Sequence, residues 1–219
     1  MLKLYGKLRS RVTRNVWLVE ELGIPYERVD VIQANRLPDP SAPGAPLHTR
    51  HPDFLKVNPA GHIPAMDDDG LVIGESLAIN LHLARKHGGP LGPRDAAEDA
   101  QMTMWTLWAA TDVEPHASQI LYNRVMRPPE QRDEALAKAS VIALDWPFGV
   151  LDAHLAKAGG HLVGGRFTVA DINVSEVARY AQAAPDLFDK APHVKAWLAA
   201  CHARPAFREM MRQREAEPV

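Results

Sequence analysis

Asn58-Pro59-Ala60-Gly61-His62-Ile63-Pro64-Ala65, followed after a turn by Glu75-Ser76-Leu77-Ala78-Ile79, is the stretch that decides how this chain folds. A proline that opens a strand is tolerated, because the residue there need not donate to the ladder. A cis Ile63-Pro64 bond would turn the Ile63 amide and carbonyl outward, and such a backbone edge can pair with an extended peptide. His62 to Met66 and Leu71 to Ile73 flank the turn signal Asp67-Asp68-Asp69-Gly70, which predicts a β-hairpin. A helix is expected from about Glu75 to His87, ended by Gly88-Gly89-Pro90. The unpaired N–H groups at its start would attract a carboxylate.

Upstream, Leu2 to Tyr5 reads as a short strand. Arg11 to Leu22 carries Val12, Val16, Val19 and Leu22 on one helical face, closed by Gly23 and Pro25. Tyr26 to Ile32 alternates enough for a second strand, and the proline-rich Ala34 to Pro52 segment reads as a long surface loop of the kind that often carries function. Downstream of Pro93 the strand signals stop. What remains is helix-forming sequence broken by Pro128-Pro129, Gly159-Gly160, Gly164-Gly165, Pro185, Pro192 and Pro205, with Pro115 and Pro147 expected to kink their helices. The organisation expected is an α/β domain over residues 1–84 and an all-α domain over residues 94–219.

Composition narrows the partners. The chain has 219 residues, 46% of them hydrophobic, and its 25 basic and 27 acidic residues are mixed to a net charge of −2. No basic stripe suited to nucleic acid stands out, and no run approaches the roughly 18 apolar residues of a membrane helix. Cys201 is the only cysteine, so it can form no internal disulfide, and Met1-Leu2-Lys3-Leu4-Tyr5-Gly6 lacks the apolar run of a signal peptide. A cytoplasmic protein is expected. No metal-ligating set is read.

These motifs, in this order, resemble the cytosolic glutathione transferases. The resemblance runs through Glu20-Glu21-Leu22-Gly23-Ile24-Pro25-Tyr26-Glu27, Asn58 to Pro64, Glu75-Ser76 and Phe167-Thr168-Val169-Ala170-Asp171. In the last, Thr168 can accept from the Asp171 amide while the Asp171 carboxylate returns to the Thr168 amide, a capping box with aspartate for the usual glutamate. The resemblance implies a thioredoxin-like N-terminal domain, a helical C-terminal domain, a homodimer, and glutathione as co-substrate for conjugation to small hydrophobic electrophiles. It also implies that the thiol activator lies just after the first strand. Ser10 with Arg14 four residues on looks like the serine pattern of theta-like and related bacterial enzymes, and Tyr5 is the competing candidate at the tyrosine position of other classes. Ser10 also has the plainer reading of a helix N-cap, and Tyr5 that of a core aromatic.

The energetics suit a single hydroxyl. Lowering a thiol pKa from about 8.5 by about two units corresponds to about 2.7 kcal/mol. One hydrogen bond to the charged sulfur contributes about 1.5 to 3 kcal/mol and a helix N-terminus about 0.3 to 1. Because thiolate nucleophilicity falls with pKa, most of the remaining rate must come from holding the electrophile beside the sulfur.

The resemblance further implies glutathione contacts from the Ile63 backbone, Pro64, Glu75 and Ser76, with His62 near the glycine carboxylate and His51, His48 and Arg50 as rivals on the preceding loop. The electrophile pocket is expected between the domains. Trp105, Trp108 and Asp112 share a helical face there, although such an aromatic stripe is more commonly core. With no cysteine between Tyr5 and Arg14, the thioltransferase and zeta-type isomerase patterns are absent. Two other readings of the same fold remain: a non-catalytic binding module, and a specialised glutathione-dependent lyase, dehalogenase or peroxidase.

Overall fold

The computed structural model describes residues 1–218 and divides into two compact units. The first comprises Met1–His87 together with the chain from Pro205 onward, and the second Gly88–Arg204.

In the first unit, β1 (Leu2–Tyr5) pairs in parallel with β2 (Tyr26–Val29) and antiparallel with β3 (Ala65–Asp68), which pairs antiparallel with β4 (Leu71–Gly74). The sheet order is β2-β1-β3-β4. Asp69 (φ 53°) and Gly70 (φ 96°) make the tight turn of the hairpin, where two consecutive positive φ values match the strand twist. The hairpin begins at Ala65, three residues later than the apolar run from His62 suggests, because Asn58 Nδ2 takes the His62 carbonyl at 2.8 Å and keeps that residue in the loop. β2 likewise stops at Val29. Ile32 then makes only an isolated bridge to His48.

Three helices cover the sheet. α1 (Val12–Leu22) packs against α3 (Ser76–His87). α2 (Pro52–Val57) contributes Phe54 to a cluster with Val31, Ala65 and Tyr5. This third helix starts at Pro52, the last residue of the stretch expected as loop: Pro52 sits in its first turn, where the missing N–H costs nothing, and His51 Nδ1 accepts the Asp53 N–H at 3.2 Å as the N-cap. Every residue of α1 from Val12 to Val19 is buried, including Thr13, Arg14 and Asn15. The amphipathic pattern alone predicts one buried face. The second is covered by α10 (Pro205–Ala216), whose Phe207 ring meets Trp17 edge-on at 4.8 Å. The last helix thus packs with the first unit, although it follows the helical one in the chain.

The second unit contains α4 (Ala96–Trp108), α5 (Glu114–Leu121), α6 (Glu134–Lys157), α7 (Val169–Ala178), α8 (Pro185–Asp189) and α9 (Pro192–His202). Between α4 and α5 the chain widens to a π-helical turn over Ala109–Val113, and Pro115 falls in the first turn of the helix that follows. Pro147 lies inside α6, which continues through it. All ten residues of α7 are buried. At its start the Thr168–Asp171 capping box is formed, and Asp171 Oδ2 accepts from the Thr168 N–H at 2.9 Å.

Candidate active site

β1 delivers the chain to Gly6, whose φ of 145° suits glycine. A Cβ at Gly6 would lie 3.3 Å from Val12 Cβ and 3.5 Å from both Ile63 Cβ and Ser10 Oγ, so the start of α1 and the loop before β3 converge on this residue. Ser10 Oγ donates to the Lys7 carbonyl at 2.7 Å and accepts the Val12 N–H at 3.2 Å. It takes the first N–H of α1 from one residue before the N-cap, which is Arg11, and its proton becomes available to a ligand only by exchanging the Lys7 carbonyl for it. The Ile63-Pro64 bond is cis. The Ile63 N–H and C=O make no hydrogen bond among the described residues.

At the same open end of the hairpin, where Ala65 pairs with Gly74, Glu75 adopts φ 62° and its carbonyl accepts the Ile79 N–H at 3.0 Å. A left-handed non-glycine residue is a strained conformation that clusters at ligand clamps. Glu75 is exposed and Ser76 is buried. Arg14 Nη1 donates to Ser76 Oγ at 3.0 Å, and Asn15 Nδ2 donates both to the Ser76 carbonyl at 2.8 Å and to Asn80 Oδ1 at 2.7 Å. Asn80 Nδ2 returns to the Arg14 carbonyl at 3.1 Å. Arg14, Asn15 and Asn80 are each at most 1% exposed, so this network fixes the N-terminus of α3 against α1 from inside the core. Asn15 and Asn80 escape the sequence reading. Their signal is a polar residue on a helix face otherwise lined by buried Val16, Ile79 and Leu83.

Tyr5 stands on the sheet face toward α2, its ring 6.3 Å from that of Phe54. Burial raises its phenol pKa, so the hydroxyl keeps its proton at neutral pH. His62 is exposed. Arg50 lies beside the preceding residue: a Cβ on Gly61 would come within 2.5 Å of Arg50 Nη1. His48 Nδ1 accepts the Arg50 N–H at 3.1 Å, which leaves the ring proton on Nε2, as at His51. The two rings meet edge-on at 5.5 Å. His48, Arg50 and His51 line an open cavity of about 500 Å3 whose walls carry no carboxylate.

Residues 10–86 match the glutathione S-transferase N-terminal domain and residues 113–205 the glutathione S-transferase C-terminal domain. Over 217 residues the chain is 34% identical to glutathione S-transferase 3 of Zea mays, covering 95% of this chain and 92% of that one. The chain belongs to the glutathione S-transferase family. It is 31% identical to glutathione S-transferase GstB of Escherichia coli K12, with 96% of this chain and 98% of that one covered. The theta class glutathione S-transferase of Xanthomonas axonopodis pv. citri, solved with glutathione bound, superposes with a TM-score of 0.79 at 27% identity, covering 95% of each chain.

In this glutathione S-transferase the two tryptophans of the expected electrophile pocket lie on α4. Trp105 is buried, with Trp108 edge-on at 5.1 Å and the His154 ring at 4.7 Å, while Trp108 is half-buried and Asp112 exposed. Cys201 is buried on α9 and forms no disulfide among the described residues. Among the described residues no group of three His, Cys, Asp or Glu side chains could hold a metal, and no helix is long and apolar enough to cross a membrane.

Proposed function

We propose that the protein binds glutathione along β3 and the α3 N-terminus and adds its thiolate to small hydrophobic electrophiles. The observation that carries this reading is the convergence of Ser10 Oγ and Ile63 on the side-chain-free Gly6, within the same unit as a strained Glu75 and an internally anchored Ser76. The γ-glutamyl carboxylate takes the N–H groups at Ser76, its ammonium takes Glu75, and the Ile63 N–H and C=O pair with the cysteinyl residue beside Pro64. The glycine carboxylate is met by Arg50 and His62, with His48 and His51 supplying Nε2–H donors at the cavity wall.

Ser10 then gives up the Lys7 carbonyl and donates to the sulfur, whose proton leaves to solvent. The helix start favours the anion, and the thiolate lone pair forms the new C–S bond as the bond to the leaving group breaks and that group departs with its electron pair, halide in the case of an aryl halide. Tyr5, its phenol held neutral and packed on Phe54, lines the site without activating the thiol. For the electrophile, Trp105 and Trp108 of α4, paired edge-on within the second unit, are the proposed apolar contacts.

The protein acts as a cytoplasmic homodimer. Support comes from the exposed apolar stripe of α6, where Ile142 (70%), Trp146 (82%) and Val150 (41%) follow one another at four-residue spacing. Light scattering at micromolar concentration is expected to give twice the chain mass.

Retention on immobilised glutathione, followed by turnover of a generic aryl halide and of a hydroperoxide, tests the activity itself. Conjugation of the halide is expected. Glu75→Ala is expected to raise the glutathione KM more than about tenfold, the loss of one charge-assisted contact. Unchanged glutathione affinity by calorimetry in that variant would remove the γ-glutamyl assignment.

A further inference from the structure

The Gly6–Ser10 turn is held from the far end of the chain. Glu217 follows α10, its N–H still bonded to the Gln213 carbonyl at 3.1 Å, and it is only 8% exposed. Glutamate at such a position is ordinarily solvated. Here Glu217 Oε2 accepts the Arg9 N–H at 3.3 Å, Oε1 accepts from Arg28 Nη1 at 2.6 Å, and the Glu217 carbonyl accepts from Arg9 Nε at 3.1 Å. Arg28 Nη1 also reaches the Gly6 carbonyl at 3.4 Å and Asp30 Oδ1 at 2.9 Å, and Lys7 Nζ meets Asp30 Oδ2 at 2.8 Å. Leu8 is buried beneath. Both flanks of the Lys7 carbonyl, the present acceptor of the Ser10 proton, are thus tied to one polar clasp.

We infer that Glu217 is a positioning residue for thiol activation: from the C-terminal segment it fixes the Gly6–Ser10 turn and, through it, the direction of the Ser10 hydroxyl. The inference rests on the reading of Ser10 as the donor to the sulfur. Across the turn Ser10 Oγ holds the Lys7 carbonyl at 2.7 Å, a bond that donation to the sulfur would give up, and hydrogen-bond strength falls steeply with misdirection. α10 has other anchors, with Phe207 against Trp17 and Met210 fully buried, so Glu217 is not needed to dock the helix.

The experiment is ultraviolet titration of the thiolate of enzyme-bound glutathione in Glu217→Ala, Ser10→Ala and the double variant, with melting temperature and glutathione Kd measured alongside. Asp189→Ala, which deletes an exposed charge paired with Lys195 in the other unit, is the control. Glu217→Ala is expected to raise the bound thiol pKa by about half a unit to one unit, cutting kcat near pH 6.5 about three- to tenfold with Kd little changed. The sign is informative. Removal of a carboxylate acting only through space would favour the thiolate and lower the pKa. The double variant is expected to titrate as Ser10→Ala does, since a residue acting through Ser10 has nothing further to lose.

Glu217→Gln keeps an acceptor for Arg9 and is expected to fall between wild type and Glu217→Ala. It carries the same test if the alanine variant does not fold. A pKa unchanged or lowered in both Glu217 variants, or a shift fully additive with Ser10→Ala, overturns the inference and leaves the Ser10 reading standing. Ser10→Ala without effect on the titration removes the Ser10 reading itself.

Discussion

Asp171→Ala strips the start of α7 of a carboxylate that nothing nearby can replace. Asp171 is fully buried, and its two oxygens accept from the Thr168 N–H at 2.9 Å, Thr168 Oγ1 at 3.1 Å, the Leu162 N–H at 3.1 Å and Trp197 Nε1 at 2.8 Å. Thr168 Oγ1 can rotate to another partner. The other three donors are fixed, and each left unsatisfied costs about 1 to 3 kcal/mol, so the loss is on the order of 3 to 9 kcal/mol. Against a typical total of about 5 to 15 kcal/mol, the lower figure shifts the melting temperature by about 6 to 12 °C and the upper one unfolds the protein. Asp171→Asn keeps one acceptor but turns an N–H pair toward the Thr168 amide, and is expected to fall between. Calorimetry or circular dichroism on heating reads the effect. A melting temperature within about 2 °C of wild type in Asp171→Ala would refute the reasoning, since it requires the three donors to find other partners in a fully buried site.

Asn80→Ala opens the network under Ser76, leaving Asn15 Nδ2 and the Arg14 carbonyl each short of a partner. Kinetics are expected to show glutathione KM raised about three- to tenfold with kcat less affected, alongside a stability loss of about 2 to 4 kcal/mol. Burial lowers the His202 pKa to about 4 from its ordinary 6.5, with Glu176 opposing and Arg179 adding to the effect. Because the unfolded chain takes the proton first, His202 contributes stability that is intact above pH 6.5 and is lost as pH falls toward 4, up to about 3 kcal/mol. His202→Leu is expected to flatten that part of the curve in denaturant titrations at stepped pH.

What the chain order discloses is chiefly local. The Thr168–Asp171 box spans four residues, the Asp69-Gly70 turn two, and the Ile63-Pro64 and Glu75-Ser76 motifs lie on contiguous segments, so residue type and spacing suffice to read them. The thioredoxin-like N-terminal domain is what the family resemblance implies, and the strand order itself comes from the fold. Arg14, Asn15 and Asn80 are different: polar residues on a helix ordinarily mark its solvated side, and only the packing of α3 and α10 around α1 buries them. The helix α2 is hidden because Pro52 reads as a breaker when it is an opener. The bond from Arg9 to Glu217 spans 208 residues, a separation across which no periodicity carries information. Ser10 is both cap and candidate donor. The residue type fits both roles: its Oγ accepts the Val12 N–H at the helix start while its proton goes to the Lys7 carbonyl.

The central claim is that the Ser10 hydroxyl, and not the Tyr5 phenol, holds the glutathione sulfur as thiolate. The most direct test is ultraviolet titration of glutathione bound to wild type, Ser10→Ala and Tyr5→Phe. A hydrogen bond to a charged group contributes about 1.5 to 3 kcal/mol, so Ser10→Ala is expected to raise the bound thiol pKa by about one to two units while Tyr5→Phe leaves it in place. The deficit in kcat/KM should be largest near pH 6.5 and shrink toward pH 9, where solvent ionises the thiol unaided. A titration moved by Tyr5→Phe and not by Ser10→Ala would contradict the account.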